Sequence, residues 1–108
     1  MYVHVFRSNG RSENKYVDVH PYMYPHGTSR EVAYKIAKKC NLQNGDMAAF
    51  CIVGPYYDVT SPCFSIRSYA VAVEDNALYL AEYDYLNPST FPDSVAYMSV
   101  IGEADYLI

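Results

Sequence analysis

The chain has 108 residues, half of them hydrophobic, with a formal charge of −4 and three cysteines, Cys40, Cys51 and Cys63. That length fits one domain (residues 1–108) with a modest core, and the odd cysteine count without a C-x-x-C pair points to free thiols in a reducing compartment. No apolar run reaches a membrane span, no signal peptide is visible, and the net negative charge opposes indiscriminate nucleic-acid binding, so a cytoplasmic protein without membrane or direct nucleic-acid contact is expected.

Residues 2–7 alternate, with Val3 and Val5 on one face and Tyr2, His4 and Phe6 on the other. Residues 16–20 alternate through Val17 and Val19, so both segments read as strands. Asn9-Gly10 invites a two-residue turn, but pairing Val5 with Val17 and Val3 with Val19 matches the faces better and leaves a loop over residues 8–14. Pro21 and Pro25 make residues 20–27 a connection with exposed aromatics rather than a central strand. Thr28 and Glu31 form a capping box, and Val32, Ala33, Ile36, Ala37 and Cys40 fall on one helical stripe. Arg30, Lys35, Lys38 and Lys39 point elsewhere, and Asn44-Gly45 ends the unit.

Residues 47–53 are continuously apolar, which predicts a central strand covered on both faces and makes Cys51 a core residue. Gly54-Pro55 and Ser61-Pro62 bracket a loop or short edge segment containing Tyr56, Tyr57 and Asp58. Residues 64–73 read as a strand whose apolar parity switches from Phe64 and Ile66 to Val71 and Val73, so a bulge or bend is expected between them. After a turn at Asp75-Asn76, residues 78–86 form a strand with Tyr79, Ala81, Tyr83 and Tyr85 on one face. Its other face starts with Leu78 and Leu80 and ends with Glu82 and Asp84, hence in solvent. Helical spacing competes with strand preference over residues 92–101; the reading leans to strand, resuming through 104–108. The fold class is α+β: one helix on a twisted, mostly antiparallel sheet of five to six strands in ββα-βββ order.

The composition contains 13 Tyr and only 19% charged residues. Residues 68–108 hold seven acidic residues and no Lys or Arg, a net of −7, whereas residues 1–67 hold all eight basic residues against five acidic ones. Tyr supplies large amphipathic contact area with few rotors, and segregated charge governs association more than fold. The expected contact residues are Tyr79, Glu82, Tyr83, Asp84, Tyr85, Glu103, Asp105 and Tyr106, gathered on one solvent-facing surface.

Catalytic patterns are weak. Cys40 and Cys51 read as core, leaving Cys63 as the thiol for a nucleophile. His4, His20 and His26 lack metal-ligand spacing, and Glu82 with Asp84 lacks the pocket an acid/base pair needs. No Gly-rich phosphate loop exists. Neither catalysis nor a cofactor is expected. Aromatics interleaved with Asp and Glu, rather than with Lys and Arg, fit a basic nucleic-acid-binding protein as partner.

Through Ala81-Glu82-Tyr83-Asp84-Tyr85 and Gly102-Glu103-Ala104-Asp105-Tyr106 the chain resembles small phage- or plasmid-encoded inhibitors, namely anti-CRISPR and acidic DNA-mimic antirestriction proteins. The resemblance spans residues 68–108 and implies stoichiometric inhibition of a cytoplasmic host target without a cofactor. The basic helix departs from a fully acidic mimic, which shifts the expectation toward docking on a specific protein groove. The alternatives are a self-assembling protein that pairs its C-terminal strand with a second copy, forming a homodimer, and a small enzyme using Cys63 or Glu82 and Asp84.

Overall fold

The computed structural model describes residues 1–19, 28–58 and 61–107, with side chains at all of these except 28 and 53–65. The expected connection at 20–27 with His20 and His26, the capping role of Thr28, and the side chains of Tyr56, Tyr57 and Cys63 lie outside that description. One helix, α1 (Thr28–Lys39), packs on one face of a six-stranded antiparallel sheet. The strands are β1 (Tyr2–Phe6), β2 (Ser12–Tyr16), β3 (Met47–Asp58), β4 (Ser61–Glu74), β5 (Ala77–Tyr83) and β6 (Ser99–Glu103), in spatial order β2-β1-β3-β4-β5-β6. The architecture is the expected α+β fold.

The helical stripe behaves as its spacing predicts. Val32, Ala33, Ile36, Ala37 and Cys40 are buried against Val3, Val5, Ala48, Phe50, Ile52, Tyr69, Val71, Val73 and Leu78. Burying side chains the size of Ile36, Ile52 or Leu78 contributes roughly 1.5–3 kcal/mol each. The helix ends one turn earlier than Asn44-Gly45. Asn41 takes the left-handed conformation (φ 50°), Leu42 N–H donates to Ala37 O at 2.9 Å, and Asn41 N–H donates to Lys38 O at 3.1 Å. This is a Schellman terminus, and the buried Leu42 supplies its apolar contact.

The first hairpin differs from expectation. Val5 pairs with Glu13 and Val3 with Lys15, not with Val17 and Val19. A three-residue loop, residues 8–10, closes it: Arg7 N–H donates to Arg11 O at 2.7 Å, and Gly10 (φ 87°) occupies the left-handed position. Val17 and Val19 are still buried, but beyond the strand, where the Met1 amino group donates to Val17 O and Val17 N–H donates to Met1 O, each at 2.8 Å. The valines misled because burial outlasts the ladder.

Residues 54–58 and 61–62, expected as a loop or short edge segment, are strand. β3 and β4 pair in one unbroken register from Met47↔Ala72 to Asp58↔Ser61, and no bulge separates Ile66 from Val71. The parity switch is real, but it records a change of face: Val71 and Val73 pack under α1, whereas Ile66 points out and is exposed. β1 pairs with residues 47–49 of β3, and β5 with residues 68–74 of β4, so among the described residues the rest is a two-stranded ribbon. Proline is tolerated there because no third strand among the described residues requires its N–H. The tight turn at Asp75-Asn76 is as predicted, with both residues left-handed (φ 51° and 64°).

Residues 84–98 connect β5 to β6 through two short 3-10 turns, Pro88–Thr90 and Val95–Tyr97, rather than by continued strand. Phe91 lies edge-on to Phe6 of β1 at 5.8 Å and to Tyr83 of β5 at 4.9 Å. The connection therefore crosses the sheet face opposite the helix. Small residues there, Ala70 and Ala72 of β4, leave room for it, and both are buried, as is Pro92. β6 is shorter than expected and residues 104–107 form turns.

One end of the sheet is fastened by polar groups. Asp46, 4% exposed, accepts Ser8 N–H at 2.8 Å, Gln43 N–H at 2.9 Å and Arg7 Nη1 at 3.1 Å. Arg7 Nη2 also donates to Glu13 at 3.0 Å and to Cys40 O at 2.9 Å, placing a cation at the helix C-terminus. Burial alone would lower the Arg7 pKa; its hydrogen bonds to Glu13 and Asp46 outweigh that and hold it above the ordinary value. Gly45 (φ 91°) sits here too, and a Cβ at that position would meet Ser8 Cβ at 2.9 Å.

Candidate interaction surface

β5 carries most of the expected contact residues, and alternation sorts them. Tyr79 and Tyr83 face away from the helix; Glu82 faces the helix side, level with Tyr69 of β4. Tyr79 is half-buried between Ala72 and Val100. Tyr83 is also half-buried, with its ring on Phe91, and burial pushes its phenol pKa up against the opposing pull of a hydrogen bond with Ser68. Both rings therefore serve the sheet face first.

Beyond β5 the groups open to solvent. Glu82 and Asp84 are exposed, Tyr85 is 52% exposed and Leu86 76%. Asp84 Oδ1 accepts Leu86 N–H at 3.0 Å, and Asp84 N–H donates to Thr90 Oγ1 at 2.8 Å, so the turn is fixed while the carboxylate still faces water. The 3-10 turn at Val95–Tyr97 brings Tyr97, 75% exposed, to the same end. A cleft of about 350 Å³ runs between Glu82, Phe91, Pro92, Asp93 and Tyr97. A second, about 440 Å³, lies between Ile66, Tyr83, Asp84, Tyr85 and Thr90.

Glu103, Asp105 and Tyr106 lie elsewhere. Glu103 pairs with Ala77, at the start of β5. Glu82 is five residues further along that strand, about 17 Å away at the usual rise per residue. Asp105 accepts the Tyr34 hydroxyl at 2.5 Å, and that bond, ahead of burial, raises the Tyr34 phenol pKa. Tyr106 donates its hydroxyl to Leu42 O at 2.8 Å, and burial pushes its phenol up to about 12. The eight residues thus form two groups at opposite ends of the sheet, not one surface. At the Glu103 end two of the three are consumed by the fold.

Charge segregation also weakens in space. Arg30, from the first turn of α1, shares a cleft with Glu82 and Tyr97, and Arg67 lines the Tyr83–Asp84 cleft. The sequence reading missed Asp93, Leu86 and Tyr97 as surface groups. Their signal was the failure of either helix or strand periodicity to persist through residues 84–98, which marks a loop that exposes its polar and aromatic tips.

Cys40 is buried and its thiol is pushed up by that burial, which suits a core residue. Cys51, expected in the core, is instead exposed: it sits on the outer face with Sγ 3.4 Å from Ser68 Oγ. A run of apolar residues does not reveal which alternate positions the sheet leaves uncovered. His4 Nδ1 lies 2.6 Å from Asn14 Oδ1. Among the described residues no three His, Cys, Asp or Glu side chains are placed to hold a metal ion, and no helix is long and apolar enough to cross a membrane. No family model, curated protein or solved structure matches the chain.

Proposed function

We propose that the chain is a non-enzymatic binding protein that docks the far end of β5 onto a basic protein surface. Nucleic-acid-handling proteins present such surfaces, and occupying one would inhibit its owner in the manner of the phage-type inhibitors the chain resembles. The observation that carries this reading is the exposure of Tyr85, Leu86 and Tyr97 among Glu82, Asp84 and Asp93 around two shallow clefts. Aromatic anchors of this kind dominate contact energy, and a ring of acids steers a cationic partner toward them. Arg30 and Arg67 at the margin narrow the cation-seeking area to the β5 end and its following loop.

Capture from a lysate of the source cell, after nuclease digestion, tests the proposal. Glu82→Lys combined with Tyr85→Ala and Tyr97→Ala should abolish recovery of a basic partner, while Glu103→Lys should not. Association should also slow as salt rises, because steering between exposed charges is screened. Recovery that survives the triple change but fails with Glu103→Lys would place the contact at the other end and overturn this assignment.

A further inference from the structure

We infer that β2 is a self-pairing edge, joining two copies of the chain into one continuous sheet across a two-fold axis centred on Asn14. The inference concerns the opposite edge of the sheet from the proposed partner surface and does not depend on it.

The backbone sets the first condition. Arg7 N–H donates to Arg11 O, and Met1 and Val17 exchange both of their backbone bonds. By alternation the odd-numbered residues of β2, Glu13 and Lys15, turn their N–H and C=O groups toward β1. Ser12, Asn14 and Tyr16 turn theirs outward, and among the described residues no strand lies beyond β2. The other edge, β6, is broken by a register shift opposite Leu78 and Tyr79, a device that discourages pairing. β2 is regular throughout.

The side chains set the register. Antiparallel pairing about Asn14 places Glu13 directly opposite Lys15 of the second copy, and Lys15 opposite its Glu13. These are non-hydrogen-bonded positions, where cross-strand side chains approach most closely. A slip of two residues is the smallest that keeps the outward groups bonded. It sets Glu13 against Glu13 in one direction and Lys15 against Lys15 in the other. Opposite charges thus select one register, and like charges reject its neighbours.

The outer face fits the same arrangement. Tyr2 (75% exposed) and Tyr16 (63% exposed) stack edge-on at 5.3 Å, and Phe6 stands opposite Ser12. In the proposed register Ser12 faces Tyr16 of the second copy. The small serine then leaves space for that ring to cover Phe6, so each copy shields aromatic surface of the other. A C2 contact of this kind is closed and does not propagate into fibres.

The test is the solution mass by sedimentation across a wide concentration range. The wild-type chain should show a concentration-dependent dimer. Glu13→Lys alone and Lys15→Glu alone should each weaken self-association roughly tenfold, since each sets like charges opposite one another twice. Mixed in equal amounts, the two variants should recover the dimer, because every cross-strand pair is then opposite in sign. Amide exchange on the wild-type chain gives an independent reading: protection of Ser12, Asn14 and Tyr16 should rise with concentration, while Glu13 and Lys15 stay unchanged. A wild-type chain that remains monomeric, or a dimer indifferent to both charge changes and to exchange at those three amides, would overturn the inference.

Discussion

The two ends of the sheet are both acidic and both rich in tyrosine, yet they use those groups differently. At the end where α1 terminates, the polar groups face inward or bond to one another: Asp46 to Arg7 and two backbone N–H groups, Tyr106 to Leu42 O, Asp105 to Tyr34, Asn44 to Asn76. At the end where β5 runs out, Glu82, Tyr85, Asp93 and Tyr97 face solvent. Similar composition therefore has two physical roles, and what separates them is whether each side chain's hydrogen-bonding capacity is already used. The first end should answer to mutation in stability, the second in association.

The largest effect is expected at Asp46. Asp46→Ala strips the buried partner from Arg7 and from the N–H groups of Ser8 and Gln43, and should cost about 3 kcal/mol in denaturant unfolding with an unchanged m value. A cost near zero would mean the fastened end is not what holds the fold.

Next is Tyr106→Phe, which should cost about 1 kcal/mol by losing the bond to Leu42 O. Its signature is alkaline. The folded phenol is held at about 12, above the ordinary value near 10, so the fold keeps the proton that the unfolded chain releases first. The contribution is whole below pH 10 and is lost as pH rises toward 12. Stability of Tyr106→Phe should lack that part of the decline.

The contrasting change is Tyr85→Ala with Tyr97→Ala. Exposed side chains without a fold role should move stability by no more than about 0.5 kcal/mol. The same pair should weaken a captured partner at least tenfold, the behaviour of contact anchors. Smallest of all is Asp105→Asn. It weakens the chief cause of the raised Tyr34 phenol, so tyrosine-selective NMR titration should show Tyr34 ionising earlier while partner capture is untouched.

Local patterns in the sequence carried the fold class. The stripe from Val32 to Cys40 is legible because a period of 3.6 survives any tertiary context, and Asp75-Asn76 because left-handed turn residues are few in kind. Register was less legible. Val17 and Val19 are buried beyond the end of β2, and Gly10 closes a three-residue loop where matching the valine faces had left residues 8–14 as the loop. The ribbon was hidden by Pro55 and Pro62, which read as breakers until their open edges are known. The Arg7–Asp46 bond joins residues 39 apart and has no local signal. For the candidate site, the sequence marked Glu82, Asp84 and Tyr85 correctly as exposed, but adjacency of Glu and Tyr in a line of text does not say which phenols the fold consumes. Tyr83 and Tyr106 differ from Tyr85 only in what packs on them.

The most direct measurement is amide chemical-shift mapping of the wild-type chain titrated with a short arginine-rich peptide. Shifts should concentrate at Glu82, Asp84, Tyr85, Leu86, Asp93 and Tyr97 and diminish as salt is added. Shifts centred instead on Glu74, Asp75, Glu103 and Asp105 would contradict that placement, as would a peptide that perturbs neither end.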